Sequence, residues 1–249
     1  MVSLPSLIEK AINTLRIIQE VGVRKESLKA MSISLSSLNN VFLLANYQTE
    51  FASILDVGAN IGQFALAASC CFPKAKIYCF EPIPSAFMQL KKNIKRNPQI
   101  QAFNCALGNH PGKARFYENK FSQVSSLYKI DKRNDNPNYD QDKTMPVDVD
   151  ICRLDDLYPT LNIKTPVLLK MDVQGMEKEV LLGSGSALLK ITDFVLLEVP
   201  FIPLYEHQLL FDELNDYMRS LDYKLLAPIG INKGKHEMII EMDILYRRV

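Results

Sequence analysis

The sequence has no surplus of charge of either sign: 29 Lys and Arg stand against 28 Asp and Glu, a formal net charge of +1 over 249 residues. A chain so balanced has no long-range field with which to gather a polynucleotide or an acidic bilayer, so neither nucleic acid nor membrane is expected as a partner. It also lacks an uninterrupted apolar run long enough to cross a bilayer, and its start lacks the basic-then-apolar pattern of a signal peptide. A reduced, cytoplasmic setting is expected. Cys70, Cys71, Cys79, Cys105 and Cys152 are odd in number, form no C-x-x-C and keep no zinc spacing. They are read as small buried hydrophobes. Internal repeats are missing, and so is the G-x-G-x-x-G of a dinucleotide site.

What is there is an ordinary globular composition, 47% hydrophobic and 23% charged, able to bury a sizeable core. Leu4, Leu7, Ile8, Ala11, Ile12, Leu15 and Ile18 recur at helical spacing after Pro5, with Ser6 and Glu9 as a start signal. A serine-rich apolar segment from Leu28 to Leu44 predicts one or two further helices. Residues 1–50 are therefore expected as a helical extension, packed on the main domain or serving as a lid or dimerisation arm, and 51–249 as one α/β domain.

From Ile54 strands and helices alternate. The pattern predicts strand Ile54–Val57, helix Gln63–Cys71, strand Ile77–Phe80, helix Ser85–Arg96 and strand Gln101–Ala106. Such alternation implies a parallel sheet covered on both faces, a doubly wound α/β fold. Strands Lys113–Tyr117 and Val147–Ile151 follow, separated by a polar stretch from Lys129 to Thr144 that reads as a surface loop. The alternation resumes with strand Val167–Met171, a helix from Met176 towards Leu182, strand Phe194–Val199 and a helix from Glu206 to Leu221. The closing strands, Lys224–Pro228 and Met238–Arg247, are joined by the Gly230–His236 turn with no crossover helix, so the last must run antiparallel.

The strand entering Asp56-Val57-Gly58-Ala59-Asn60-Ile61-Gly62 passes through a turn into a helix. Glycine lets backbone approach a ligand, and free amides at a helix start face it. By itself the turn is either a nucleotide site or a tight βα connection. Glu81, 19 residues beyond Gly62 at the tip of the second strand, has the chemistry to accept hydrogen bonds from both hydroxyls of a ribose. The final antiparallel strand and the missing third glycine weaken a nicotinamide-dependent oxidoreductase, which stays as an alternative beside a non-catalytic cofactor-binding partner subunit.

Ligands of open α/β sheets lie beyond the carboxyl ends of the strands. There Asp172 ends one strand before Val173-Gln174-Gly175, and Glu198 ends the next within an apolar run where an unbonded carboxylate is costly. Asp172 is the first candidate for general base or acceptor orientation, Glu198 the second and His207, at a predicted helix start, the third. Tyr205 and Glu206 either line an acceptor pocket or end a loop. Two carboxylates without a further ligand are too few to predict a metal.

In their order, DVGANIGQF (Asp56 to Phe64), FEP (Phe80 to Pro82), NCALGN (Asn104 to Asn109), LKMDVQG (Leu169 to Gly175) and LLEV followed by PLYE (Leu196 to Glu206) resemble methyltransferases of the FkbM type. The resemblance runs from about Ile54 to Arg247 and implies the class I S-adenosylmethionine fold, a mostly parallel seven-stranded Rossmann-like sheet with an antiparallel final strand. It implies that Asp56, Gly58, Asn60, Gly62 and Phe64 surround the amino-acid end of S-adenosylmethionine. Glu81 and Pro82 then lie at the ribose, Asn104 to Ala106 at the adenine, and Asp172 beside the cofactor. The turn at Asp172 carries no proline, unlike the Asp/Asn-Pro-Pro-aromatic turn of amine methyltransferases, so the resemblance implies an oxygen acceptor, a hydroxyl of a sugar, glycan or polyketide-like molecule. The first fifty residues and the Lys129–Thr144 stretch lie outside the matching motifs; a homodimer through the N-terminal helices is a further expectation.

Overall fold

The computed structural model describes residues 35–119, 128, 131, 144–234 and 237–249. The predicted helix over Leu4–Ile18 and nearly all of the Lys129–Thr144 stretch lie outside them. Helix α1 (Leu35–Ala45) opens the described chain. Strand β1 (Ser53–Val57), helix α2 (Gln63–Cys71), strand β2 (Lys76–Phe80), helix α3 (Pro84–Ile94) and strand β3 (Ile100–Phe103) then form the first half of the main sheet. Short β4 (Ala106–Leu107), β5 (Gly112–Asn119) and β6 (Thr144–Cys152) follow, then a one-turn helix α4 (Leu154–Leu157). The second half is β7 (Val167–Met171), α5 (Glu177–Ile191), β8 (Phe194–Pro200), α6 (Phe211–Ser220), β9 (Tyr223–Lys233) and β10 (Ile239–Arg248).

The seven-stranded sheet runs β3-β2-β1-β7-β8-β10-β9. Its first five strands are mutually parallel, and β10 inserts antiparallel between β8 and β9. The strand order reverses between β1 and β7, which opens a crevice at their carboxyl ends. Side chains alternate across the sheet with period two. Ile54, Ile77 and Leu168 face a core shared with α1, α2 and α3 (Leu38, Val41, Leu44, Ala65, Leu90). Leu55, Val57 and Leu169 face a second core with Val180, Leu188, Leu214 and Met218 of α5 and α6. Asp56 and Lys170 are register partners on β1 and β7. Their positions continue the Ile54 and Leu168 alternation, so two charges enter a layer otherwise filled with aliphatic side chains.

Several boundaries differ from expectation, each for a physical reason. The strand expected over Gln101–Ala106 is two strands in two sheets, because β4 pairs with β6 in a separate three-stranded sheet, β4-β6-β5. The break is Asn104, whose amide donates to the carbonyls of Glu81 and Pro82 at 2.9 and 3.0 Å. The helical stretch α5 is kinked at Gly185 (φ 70°, ψ 160°), so the helix expected towards Leu182 is followed by a second helical segment to Ile191. Gly183 and Gly185 are there for close approach: a Cβ at Gly183 would run into the Gly108 carbonyl, and Gly185 turns left-handed against Asp155. The helix expected from Glu206 begins only at Phe211, since His207 is left-handed (φ 63°) and Glu213 reaches back to accept from the Leu210 amide at 3.1 Å. Pro228 does not end β9, because β9 is the sheet's edge and its register against β10 shifts next to that proline.

Candidate active site

The β1–α2 turn is built by alternating backbone handedness: Gly58 (φ 75°), Asn60 (φ 49°) and Gly62 (φ 88°) are all left-handed. Glycine is required at 58, where a Cβ would run into the Asp172 carbonyl oxygen of the neighbouring strand. The turn is tied to β2 by the Gly58 and Ala59 amides, which donate to Phe80 O at 3.0 and 3.1 Å. Glu81 locks the rest. Its Oε2 accepts from the Asn60 amide and its Oε1 from the Ile83 amide, each at 2.8 Å. Burial outweighs these two amides and pushes the Glu81 carboxyl up to about 7. Each oxygen keeps a further lone pair, so the group retains capacity for two more donors.

Asp56 lies beneath the turn, fully buried. Its Oδ1 stands 3.2 Å from Lys170 Nζ, yet among the described residues no donor is aligned for a hydrogen bond on either oxygen. Desolvation therefore outweighs the pull of Lys170 and raises the carboxyl above its ordinary value. The Lys170 ammonium also donates to Gly58 O at 3.3 Å, lies 3.7 Å from Asp172 Oδ2 and sits 5.6 Å from the centre of the Phe64 ring. Burial works against its charge, but Asp56 first, then Asp172 and Asp243, hold it above the ordinary lysine value. A single lysine thus joins the turn to the acidic end of β7.

Across the switch point, Asp172 and Glu198 meet through Gln174. The Gln174 amide nitrogen donates to Asp172 Oδ1 at 2.9 Å and to Glu198 Oε2 at 2.7 Å, while its oxygen accepts from the buried Tyr205 hydroxyl at 2.7 Å. Asp243 of β10 is the register partner of Glu198, and Glu241 lies two residues earlier on the same face. Burial, then Asp172, Glu241 and Asp243, push the Glu198 carboxyl well up. Burial and Asp172 likewise bring Asp243 to about 6, and Glu241, also held down by Asn232, reaches about 6. The amide of Asn40, on α1, donates to Asp243 Oδ2 at 2.7 Å, so a residue of the N-terminal segment supports this cluster.

The expected site residues fall into three groups. Asp56, Gly58, Asn60, Gly62, Phe64, Glu81, Pro82 and Asn104 gather at the carboxyl edge of β1, β2 and β3, with Ala106 buried on β4 beside them. Asp172 and Glu198 share one amide. His207 does not join them: it is exposed in the left-handed turn before α6, with the Tyr128 ring 6.3 Å away. Sequence reasoning passed over Lys170, Gln174, Glu241 and Asp243. A lysine inside the apolar run VLLKM was the available signal for the first; Glu241 and Asp243 look like the polar face of an ordinary strand. The described residues bring together no group of three or more His, Cys, Asp or Glu able to hold a metal ion, and no described helix is long and apolar enough to cross a membrane.

Residues 56–225 match the methyltransferase FkbM domain. Methyltransferase 1 of Beauveria bassiana is 33% identical over 158 residues, 59% of this chain and 64% of that protein. The 2-O-methyltransferase NoeI of Sinorhizobium fredii is 28% identical over 184 residues, 72% of this chain and 75% of that protein. The hexuronic acid methyltransferase AglP of Haloferax volcanii is 27% identical over 158 residues, 63% of this chain and 59% of that protein. The similarity begins at Asp56, runs through the glycine turn, Glu81 and the Asp172–Gln174–Glu198 network, and replaces the nicotinamide reading: the chain belongs to the FkbM methyltransferase family.

Proposed function

We propose that this chain transfers a methyl group from S-adenosylmethionine to a hydroxyl oxygen of a sugar, glycan or polyketide-like acceptor. The observation that carries the reading is the pairing, across the β1–β7 switch point, of a turn locked by Glu81 with the Asp172–Glu198 carboxyl pair. The residues present suit the donor: Glu81 has free lone pairs for two vicinal hydroxyls, and the left-handed turn leads into the positive end of α2. When bound, S-adenosylmethionine supplies a methyl carbon activated by its positive sulfonium.

The chain's own part is positioning and proton removal. Gly58, Asn60 and Gly62 shape the donor side, while Asp56 works from below by holding Lys170 against Gly58 O. Asp172 has a partly exposed side chain, with Lys170 at 3.7 Å as counter-charge. It takes the hydroxyl proton as the oxygen–carbon bond forms. Burial and the neighbouring acids raise the Glu198 carboxyl behind it, which disfavours a second negative charge in the site. The oxygen acceptor is supported by the proline-free turn at 172–175 and by NoeI's 2-O chemistry; a sugar acid is what AglP methylates.

The test is transfer of labelled methyl from S-adenosylmethionine to glycosides, uronic acids and macrolide alcohols, with titration calorimetry of the donor beside it. Saturable donor binding and label recovered on oxygen are expected. Absence of saturable binding, or label recovered on nitrogen, would overturn the reading.

A further inference from the structure

We infer that Gln174, held by Tyr205, is a positioning residue: it turns the donor end of its amide onto both Asp172 and Glu198, holds in place the carboxylate proposed to take the acceptor's proton, and weakens the pair's own hold on a proton. The inference rests on the proposed proton-removing role of Asp172.

The hydrogen bonds of the amide favour one orientation. Tyr205 is 1% exposed, and its hydroxyl donates to Gln174 Oε1 at 2.7 Å. The carboxamide oxygen is therefore on the tyrosine side, and both N–H groups face the carboxyls, at 2.9 Å from Asp172 Oδ1 and 2.7 Å from Glu198 Oε2. A reversed amide would set an oxygen against two carboxyl oxygens and turn its N–H groups towards the phenol. Gln174 also sits in left-handed backbone (φ 53°), where glycine or asparagine is favoured. What a glutamine adds at that position is this bridging amide.

The carboxyl pair needs such a device because of what surrounds it. Lys170 reaches Asp172 from β7 itself, Glu241 and Asp243 face the pair from β10, and Glu177 faces Asp172 from the start of α5. Asn40 of α1 and Asn232 of β9 are neutral donors to Asp243 and Glu241. With so many carboxyls around one ammonium their titrations are linked, and a donor placed between two of them acts on both. Glu198 lies opposite Asp243, while Asp172 has Lys170 at its other oxygen and its side chain 37% exposed. Two amide donors favour the charged forms of both partners. They therefore weaken the pair's hold on a proton, and removing them is expected to strengthen it.

The experiment follows Glu198 in the unliganded protein by carboxyl carbon-13 NMR, with its signal identified by loss in Glu198→Gln. Gln174→Met removes both amide donors at similar length. Tyr205→Phe keeps the buried ring and frees the amide to turn, so it carries the test if the methionine variant does not fold. The Glu198 titration midpoint is expected to rise by roughly half a pH unit or more in Gln174→Met and by less in Tyr205→Phe. The acidic limb of kcat against pH is expected to move the same way, with donor KM unchanged. A Glu198 midpoint that stays put in a folded variant overturns the inference. Moved midpoints in a protein that methylates no oxygen acceptor would instead overturn the proposed function and leave the amide's role standing.

Discussion

The two sides of the crevice hold their carboxylates by different means. On the side proposed for the donor, Glu81 is clamped by the backbone amides of Asn60 and Ile83, within 21 residues of chain. On the acceptor side Asp172 and Glu198 are held by side chains, with Gln174, Tyr205, Lys170, Glu241, Asp243 and Asn40 converging from five segments. A backbone clamp survives most changes of side chain, which suits a constant donor. A side-chain cluster is altered by single substitutions, which suits acceptors that differ between relatives. Lys170 joins the two, because it reaches both Gly58 and Asp172.

If the sides divide the work as proposed, Asp172→Asn separates them most sharply. Its kcat is expected to fall by about 10²–10⁴, with donor affinity by calorimetry unchanged. A parallel loss of donor affinity would dissolve the distinction. Lys170→Met attacks the joint. It leaves Asp56 buried without its counter-charge, and loss of one member of a buried pair costs about 3–5 kcal/mol. Urea unfolding should show that loss; a change within about 1 kcal/mol would mean that Asp56 and Lys170 do not hold the turn.

Glu81→Ala tests the donor side alone, with donor affinity expected to drop at least tenfold, about 1.4 kcal/mol, while the carboxyl cluster keeps its titration. The smallest effect is the pH dependence of wild-type donor binding. Donor hydroxyls need an ionised Glu81, whose carboxyl sits at about 7, so affinity should rise from pH 6 to pH 8 and flatten in Glu81→Gln. Stability moves the other way. The folded value lies above the ordinary 4.5, so the native state holds the proton more tightly; that contribution is complete below 4.5 and lost as pH rises through about 7. The donor-free protein should therefore melt lower at pH 8 than at pH 5, and Glu81→Gln should reduce the difference. A melting temperature that instead climbs equally in both proteins would remove Glu81 as the source.

The glycine turn and its tie to Glu81 were legible because their signals are short-range. A strand, a glycine turn and an acid at the next strand's tip are adjacent in a βαβ unit, so spacing along the chain converts directly into spacing in the fold. That Glu198 would be hydrogen-bonded was legible too, since a carboxyl in LLEV must find a partner. The partner was not, because Gln174 lies 24 residues away. The break at Asn104 was hidden for the same reason: the carbonyls that draw its amide belong to Glu81 and Pro82. His207 was misplaced on a helix because nothing local announces a left-handed residue there.

By itself, then, the sequence determined the alternation of strands and helices, the antiparallel close, the glycine turn and the two acidic strand ends. These follow from periodicity and from steric rules that act over a few residues. Only the tertiary structure decided how the carboxyls share their charge. β10 enters between β8 and β9 and carries Glu241 and Asp243 against Glu198, while Lys170 and Gln174 meet acids from neighbouring strands. A carboxyl's proton depends on distances and burial in space, and separation along the chain does not encode either.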